Sequence, residues 1–534
     1  MRPARLTPEA RDLTARSLDW MEGQWDPEAG LLRAPEEPGG AGGAPVGHMV
    51  RETGWYAVGL LVRNLPARHD AEADADRARH ALGRVLDHQL DAPGMPFHGT
   101  WLRSPHEARP TAQSVAWRDY DPNWREFIGT TLVIVANEFP EALAGDLGPR
   151  VEAALRRAVE GSLARGVGAH YTNIALLAAF LLQDAAVRLG EPAWEAPALR
   201  LAEQVLARFR VDGTFDEYNS PTYYGIDLYA LALWRRYAHQ PLLRTAGAEM
   251  EAGLWQDTAR HYHAGLRNLA GPYDRSYGMD LRHYASGVGL WIWLAVGRDL
   301  APFPETDRPF RHAWDLALGP VVAVLGAEVP DDALAHLTGF RGERQVDQVI
   351  ARDPFRVATS WVGERLLVGA EDVAGERGDL ADQFHPATVH WLVDGGSGDG
   401  ADVGVHDGAD VGWIRLVSDL AVDARAEGPS LALSCSRHDG GDLAFAFHVR
   451  VPDVDPAAGR TGPEDAAGDV PFADLTTERW SLPGLEVSLD TAAELVAVEP
   501  DATDGTWWLR YVAREVPAGS PVRFGIDLRV AGPR

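Results

Sequence analysis

The chain has 534 residues, 46% apolar and 24% charged; these globular values argue against disorder and fibrous repeats and, at about 100–200 residues per domain, for more than one domain. A formal net charge of −28 argues against a general affinity for nucleic acid or an anionic membrane, because both take basic patches that release phosphate counterions. All 50 basic residues are Arg, so a pyridoxal Schiff base and a Walker-type phosphate loop both lack the Lys they need.

The N-terminal run MRPARLTPEARDLTARSLDW has no apolar signal core and no later stretch reaches 18 apolar residues, which predicts a soluble cytoplasmic chain. From residue 8 to about 318 the apolar residues recur at helical spacing. They predict helices over 8–22, 48–64, 71–90, 124–138, 148–164, 171–188, 195–209, 222–238, 246–264, 279–296 and 308–318. Loops with Gly or Pro, such as EEPGGAGGAPVG at 36–47 and GEPAWEAP at 190–197, separate them. So many helices in a row, without intervening strands, predict hairpins stacked into a ring. An α-solenoid would show a fixed period of self-similarity, and none is present.

After about residue 325 the pattern turns to short runs with period-two alternation, among them FRVATSWVG, TVHWLVDG, DLAFAFHVRV and TWWLRYVAREV. The chain therefore reads as an (α/α) toroid over residues 1–322, the catalytic part, followed by an antiparallel β-sandwich over 323–534. Cys435 is the one cysteine, lies in the strand-like run SLALSCSR and reads as a buried structural thiol. The acidic, Gly-rich stretch 394–412 lacks the ligand spacing of an EF-hand or a calcium nonapeptide repeat and reads as a hairpin loop. No cofactor or metal is expected.

Polar and aromatic residues that a core does not need gather in four stretches: DYDPNWREFIG at 119–129, HYTNIALL at 170–177, FDEYNSPTYYGIDLYAL at 215–231 and LAGPYDRSYGMDLRHY at 269–284. Each lies at or just before a predicted helix start, where unpaired N–H groups favour anions. His170 and Asn173 share a face if the helix already includes 170; Asn173 then offers an amide to a carboxylate and His170 a proton relay. Ser220–Pro221 reads as an N-cap and first turn, with Asn219 just outside and Tyr223 and Tyr224 in the first turn, of which one faces the substrate. Arg275 precedes Tyr277 by two residues, and a guanidinium both binds carboxylate and lowers a phenol's pKa toward that of a usable base. Arg282 and His283 follow on the next helix as substrate-binding candidates, beside Trp124 and Arg125. Trp101, Trp117 and Trp124 are candidate platforms for sugar stacking.

In this order of residues the chain resembles the polysaccharide lyases built as a toroid plus a β-sandwich: the heparinase II/III-like, alginate-lyase-like and chondroitin-AC-lyase-like group. The resemblance implies that Asn173 binds a uronate carboxylate and that Tyr223 or Tyr224, about 50 residues later, transfers a proton. It also implies a His from the sandwich, for which QFHPATVHWLV offers His385 in a loop and His390 in a strand. Ile174 follows Asn173 where many members of the group carry His. The reaction implied is β-elimination on an acidic oligosaccharide or polysaccharide: the carboxylate is neutralised, C5 loses its proton, Asn173 and Arg275 hold the enolate, and a tyrosine protonates the leaving oxygen.

Three other readings stand beside this one. A glycoside hydrolase on the same toroid would take its acids from Asp216, Glu217, Asp274 or Asp280. The toroid also serves enzymes acting on non-sugar substrates, and a glycan-binding module would need no proton donor at all.

Overall fold

The computed structural model describes residues 6–35, 47–63, 71–306, 310–372, 383–393, 410–452, 473–502 and 505–531. The Gly-rich stretch at 394–409 and most of the loop at 36–47 lie outside them. By its internal contacts the chain divides into two compact units: Met1–Asp216, Tyr223–Leu254 and His283–Val329 form the first, and Glu217–Thr222, Trp255–Arg282 and Pro330–Arg534 the second. The segments 217–222 and 255–282, read from sequence as toroid, therefore count with the sheets. Among the described residues no helix is long and apolar enough to cross a membrane.

The helices are α1 (Pro8–Gln24), α2 (Val50–Arg63), α3 (Ala71–Asp87), α4 (Trp124–Glu138), α5 (Leu147–Arg165), α6 (Thr172–Arg188), α7 (Glu195–Asp212), α8 (Tyr223–Tyr237), α9 (Pro241–His261), α10 (Gly287–Val296), α11 (Gly319–Leu325) and α12 (Asp331–Thr338). The sequence TPEA starts α1: Pro8 sits in its first turn and the Thr7 hydroxyl accepts from Ala10 N at 3.1 Å. In α3 the buried residues are Asp74, Ala78, Ala81, Leu82, Val85 and Leu86, one stripe of a helix wet on its other side. In α4, α6 and α8 nearly every residue is buried, which marks helices enclosed on all sides.

The enclosed helices pack in a closed sequence: α2 on α4, α4 on α6, α6 on α8, α8 on α10, α10 on α1 and α1 back on α2. Tryptophans tie the steps: Trp55 Nε1 donates to Thr131 Oγ1 at 3.1 Å, Trp234 Nε1 to Leu176 O at 2.9 Å and Trp293 Nε1 to Asp12 Oδ2 at 3.0 Å. A Cβ on Gly225 would lie 2.1 Å from the Gly287 carbonyl carbon, so α8 and α10 meet this closely only with bare backbone. The Thr130 and Tyr229 hydroxyls meet at 2.7 Å from α4 to α8, so the ring interior is packed rather than open. This is an (α/α) toroid.

Among the described residues of the second unit one sheet carries eight strands in the order Glu494–Asp501, Thr506–Val516, Gly441–Arg450, Asp410–Val417, Ala387–Val393, Leu366–Glu371, Phe355–Val362 and Arg344–Arg352. The other carries six: Ala421–Glu427, Ser430–Arg437, Val522–Val530, Leu485–Thr491, Arg479–Leu482 and Ala473–Leu475. Every ladder is antiparallel. Their inner faces share one core in which Trp480 of the smaller sheet donates to Tyr511 OH of the larger at 2.8 Å, with Phe447 against both rings. Cys435 is buried in this core, as its strand-like run predicts.

Several elements differ from the sequence reading: short strands at Trp25–Asp26, Leu31–Arg33, His48–Met49, Tyr262–His263 and Asn268–Leu269 interrupt the helices, and α12 falls where strands were expected. The helix expected over 279–296 begins only at Gly287, where the Ser286 hydroxyl caps it, and residues 279–286 belong to the loop before it. The helix expected over 308–318 is a 3₁₀ turn at Ala313–Leu318 leading into α11.

Candidate functional site

In the sheet unit the loop 269–282 is laid directly on two strands of the larger sheet. A Cβ on Gly369 would stand 2.0 Å from the Gly271 carbonyl carbon, and one on Gly271 would stand 2.2 Å from Thr388 Oγ1. Asn219, in the left-handed region at φ 47°, donates its amide to Ala270 O at 2.7 Å and Pro272 O at 2.9 Å, and Ser220 Oγ donates to Arg275 O at 3.0 Å. The loop then pairs with the chain ahead of the strand Ala387–Val393. Tyr273 and His385 exchange backbone hydrogen bonds of 3.3 and 3.0 Å, and Ser276 N donates to Gln383 O at 2.8 Å.

This pairing sets His385 beside the segment that carries Arg275 and Tyr277. Burial, then the Arg415 guanidinium 3.5 Å from both ring nitrogens, holds His385 well below the ordinary histidine value, with the Ser276 backbone pulling the other way. It is a neutral imidazole near pH 7. Arg415 is itself fixed by donating Nε to His448 Nδ1 at 3.1 Å, and His448 meets Thr506 Oγ1 at 2.6 Å and stacks on Trp508 at 4.1 Å between ring centres. Arg275, at φ 60°, lies 3.7 Å from the buried Glu217 carboxylate, and Tyr277 is half-buried. An imidazole, a guanidinium and a phenol thus come from one short loop and the segment paired with it ahead of a strand.

In the helical unit polar residues gather at the start of α2, ahead of α4 and α6 and at the end of α5. Arg51, at the start of α2, lies over the rings of Trp55, Trp124 and Phe127 at 4.6, 5.4 and 5.2 Å and pairs with Glu52 and with Asp315 at 3.7 Å. Arg165 Nη1 donates to Asn123 Oδ1 at 2.8 Å, Asn123 Nδ2 donates to Tyr171 OH at 2.9 Å, and the Arg165 guanidinium is 5.8 Å from the ring centres of both Trp117 and Tyr171. Burial pushes the Asp121 carboxyl above its ordinary value, against the pull of the Asn123 N–H and of Arg51, Arg103 and Arg165.

Several sequence expectations change. Helix α6 starts at Thr172, so the exposed His170 precedes it and shares no helical face with Asn173, which is buried in the first turn. Helix α8 starts at Tyr223 rather than after a Ser220 cap, because Ser220 is engaged by the 269–282 loop. Tyr224 is buried with its hydroxyl 2.8 Å from Thr214 Oγ1, which leaves Tyr223, half-buried, as the more accessible of the two. Arg125 is fully buried and donates to the carbonyls of His98, Pro122 and Pro96, so it braces the loop before α4. Asn219 braces a loop in the same way. Trp101 and Trp124 are buried at 0% and 4% exposure and offer no platform, whereas Trp117 is 57% exposed.

His390 is buried with Nε2 2.9 Å from Met279 O, a bond that anchors the loop end. Arg282 sits in a loop instead of a helix and links Asp280 at 3.4 Å to Asp410 at 2.8 Å, and His283 is exposed. Arg415, His448, Asn123, Arg165 and Tyr171 were not singled out from sequence. The signal for the first two was available: GWIRLVSD and DLAFAFHVRV each place one polar side chain inside an apolar strand.

The family model described as "Domain of unknown function (DUF8769)" matches residues 11–327, and the one described as "Domain of unknown function (DUF8770)" matches residues 343–469. No curated protein matches the chain by sequence. Among solved structures the chain is similar to an unsaturated glucuronyl hydrolase mutant from Streptococcus agalactiae, at TM-score 0.33 and 10% identity over 60% of this chain and 78% of that one. It is similar to a heparinase III at TM-score 0.31 and 9% identity, over 99% of this chain and 85% of the other. It is also similar to the endoglucanase CelQ from Clostridium thermocellum complexed with cellotriose, at TM-score 0.28 and 9% identity, over 98% and 93%. The first family model spans more than half of the sequence and covers the helices that close the ring, and the chain belongs to that family, Domain of unknown function (DUF8769).

Proposed function

We propose that the protein is an enzyme acting on a glycan and, within that class, a lyase that cleaves a uronic-acid-containing chain by β-elimination. The observation that supports this reading is the placement of His385, 3.5 Å from Arg415 and paired through its backbone with the loop that carries Arg275 and Tyr277. Arg275 binds the uronate carboxylate, which acidifies the C5 proton. His385 takes that proton, the C4–C5 double bond forms as the glycosidic C4–O bond breaks, and Tyr277 gives its proton to the leaving oxygen. Asn173 and Tyr223 are proposed participants on the resemblance alone.

The acids first considered for the hydrolytic reading are each held by an arginine. Asp216 is paired with Arg208 at the surface, Asp274 with Arg356, Asp280 with Arg282 and Arg450, and Glu217 with Arg275, so each is used as a cross-link. Asp121 keeps that reading in play, since burial shifts its carboxyl in the direction a general acid needs. Incubation with a panel of uronic-acid oligosaccharides, followed by absorbance near the ultraviolet edge, tests the choice. The lyase gives an absorbing unsaturated product that His385→Ala and Tyr277→Phe abolish; cleavage without the chromophore, lost in Asp121→Asn, contradicts it.

A further inference from the structure

Trp117 exposes more than half of its surface, and it does so at φ 63°, a backbone region that bulky L-residues rarely adopt. Its position is enforced from several sides. Trp117 N donates to Tyr120 O at 2.7 Å, Val115 N donates to Asp119 Oδ2 at 2.8 Å, and the Arg103 guanidinium donates to the carbonyls of Trp117 at 3.4 Å and Arg118 at 3.1 Å. A large indole is thus held out into water on a clamped backbone, at a cost that no burial of the ring offsets.

We propose that Trp117 is the platform of a saccharide-binding subsite on the helical unit, where the apolar face of a pyranose ring stacks on the indole and Arg165 meets its polar edge. The inference rests on the glycan reading above and names a residue for it. The surroundings suit a sugar better than an apolar protein segment, because the Arg165 beside the indole also meets Tyr171 and both are half-buried. The Arg165 guanidinium lies 5.8 Å from the centres of both aromatic rings and is oriented by Asn123, so it is placed to donate to a hydroxyl or a carboxylate. A pre-oriented aromatic loses little conformational freedom when a ligand stacks on it, which is how a single residue anchors a flexible oligosaccharide. An acidic ring is favoured over a neutral one because the cation beside the platform complements it.

Isothermal titration of the full chain with tetragalacturonate and with cellotetraose tests this. The wild type binds tetragalacturonate more tightly than cellotetraose. Trp117→Ala weakens both by about tenfold or more with an unchanged melting temperature, Trp117→Phe stays within about threefold, and Arg165→Gln removes the preference for the acidic probe. Unchanged affinity in Trp117→Ala, or no binding of either probe by the wild type, overturns the subsite. Binding through Trp117 without any unsaturated product overturns the elimination reaction and leaves the subsite. Elimination that proceeds with unaltered KM in Trp117→Ala does the reverse.

Discussion

Around Trp117 in the helical unit the aromatic and charged side chains meet solvent, whereas in the sheet unit His385, His390 and His448 are buried to 2% exposure or less. Both clusters hold an arginine against aromatic or imidazole rings, yet the consequences differ. At the open cluster the arginine is half-buried beside an exposed indole. At the closed one Arg415 and the loss of water act together on His385, and the group that results is a neutral base rather than a cation. Exposure therefore separates a surface suited to holding a ligand from one suited to moving a proton.

The largest effect expected from breaking this contrast is chemical. His385→Ala lowers kcat on the true substrate by about 10²- to 10⁴-fold, the usual contribution of a positioned general base, with binding at Trp117 unchanged. A loss confined to KM would move His385 to the recognition side. Next comes the ion-pair network under the loop. Arg356 joins Asp274 at 2.9 Å and also Glu371, both carboxylates being buried, so Arg356→Ala strands two buried charges and costs about 3–5 kcal/mol in denaturant unfolding. A cost below 1 kcal/mol would mean that water reaches this cluster too.

The pH dependence of stability sharpens the comparison further. Burial pushes His390 down to about 4, the Met279 carbonyl opposing, while the unfolded chain keeps the ordinary value of 6.5. Between these values the unfolded state binds more protons. The contribution is therefore complete above about pH 6.5 and is lost as pH falls toward 4, about 3 kcal/mol in all from this one residue. His385 acts with the same sign. Denaturant midpoints at pH 7 and pH 4.5 show the drop in the wild type and a shallower one in His390→Gln; equal slopes would refute the buried neutral state. The smallest effect is at the surface: Asp216→Asn breaks an exposed pair with Arg208, changes stability by less than about 1 kcal/mol and leaves turnover intact.

Much of the fold could be read in the sequence because its signal is periodic. Helices α4, α6 and α8 are rich in apolar residues and declare themselves as helices by their spacing, and the alternating runs after residue 343 declare the strands. The site was less legible. Arg125 and Trp124 sit in a conspicuous polar run, but whether a polar side chain turns to backbone carbonyls or to solvent depends on tertiary contacts that no local spacing encodes. Arg125 was consumed by carbonyls from Pro96, His98 and Pro122, two of them almost thirty residues away. His385 was legible as a loop histidine ahead of a strand; that Arg415 would sit beside it depends on strand order within the sheet.

The central claim is that the reaction eliminates across C4–C5 rather than adding water to a glycosidic bond. Mass spectrometry of the products formed from a uronic-acid oligosaccharide in heavy-oxygen water tests it most directly. Elimination yields a new non-reducing end lighter by one water and no heavy oxygen introduced by the cleavage, and His385→Ala stops its formation. A saturated product carrying one heavy oxygen at the new reducing end, formed at an undiminished rate by His385→Ala, would contradict the account.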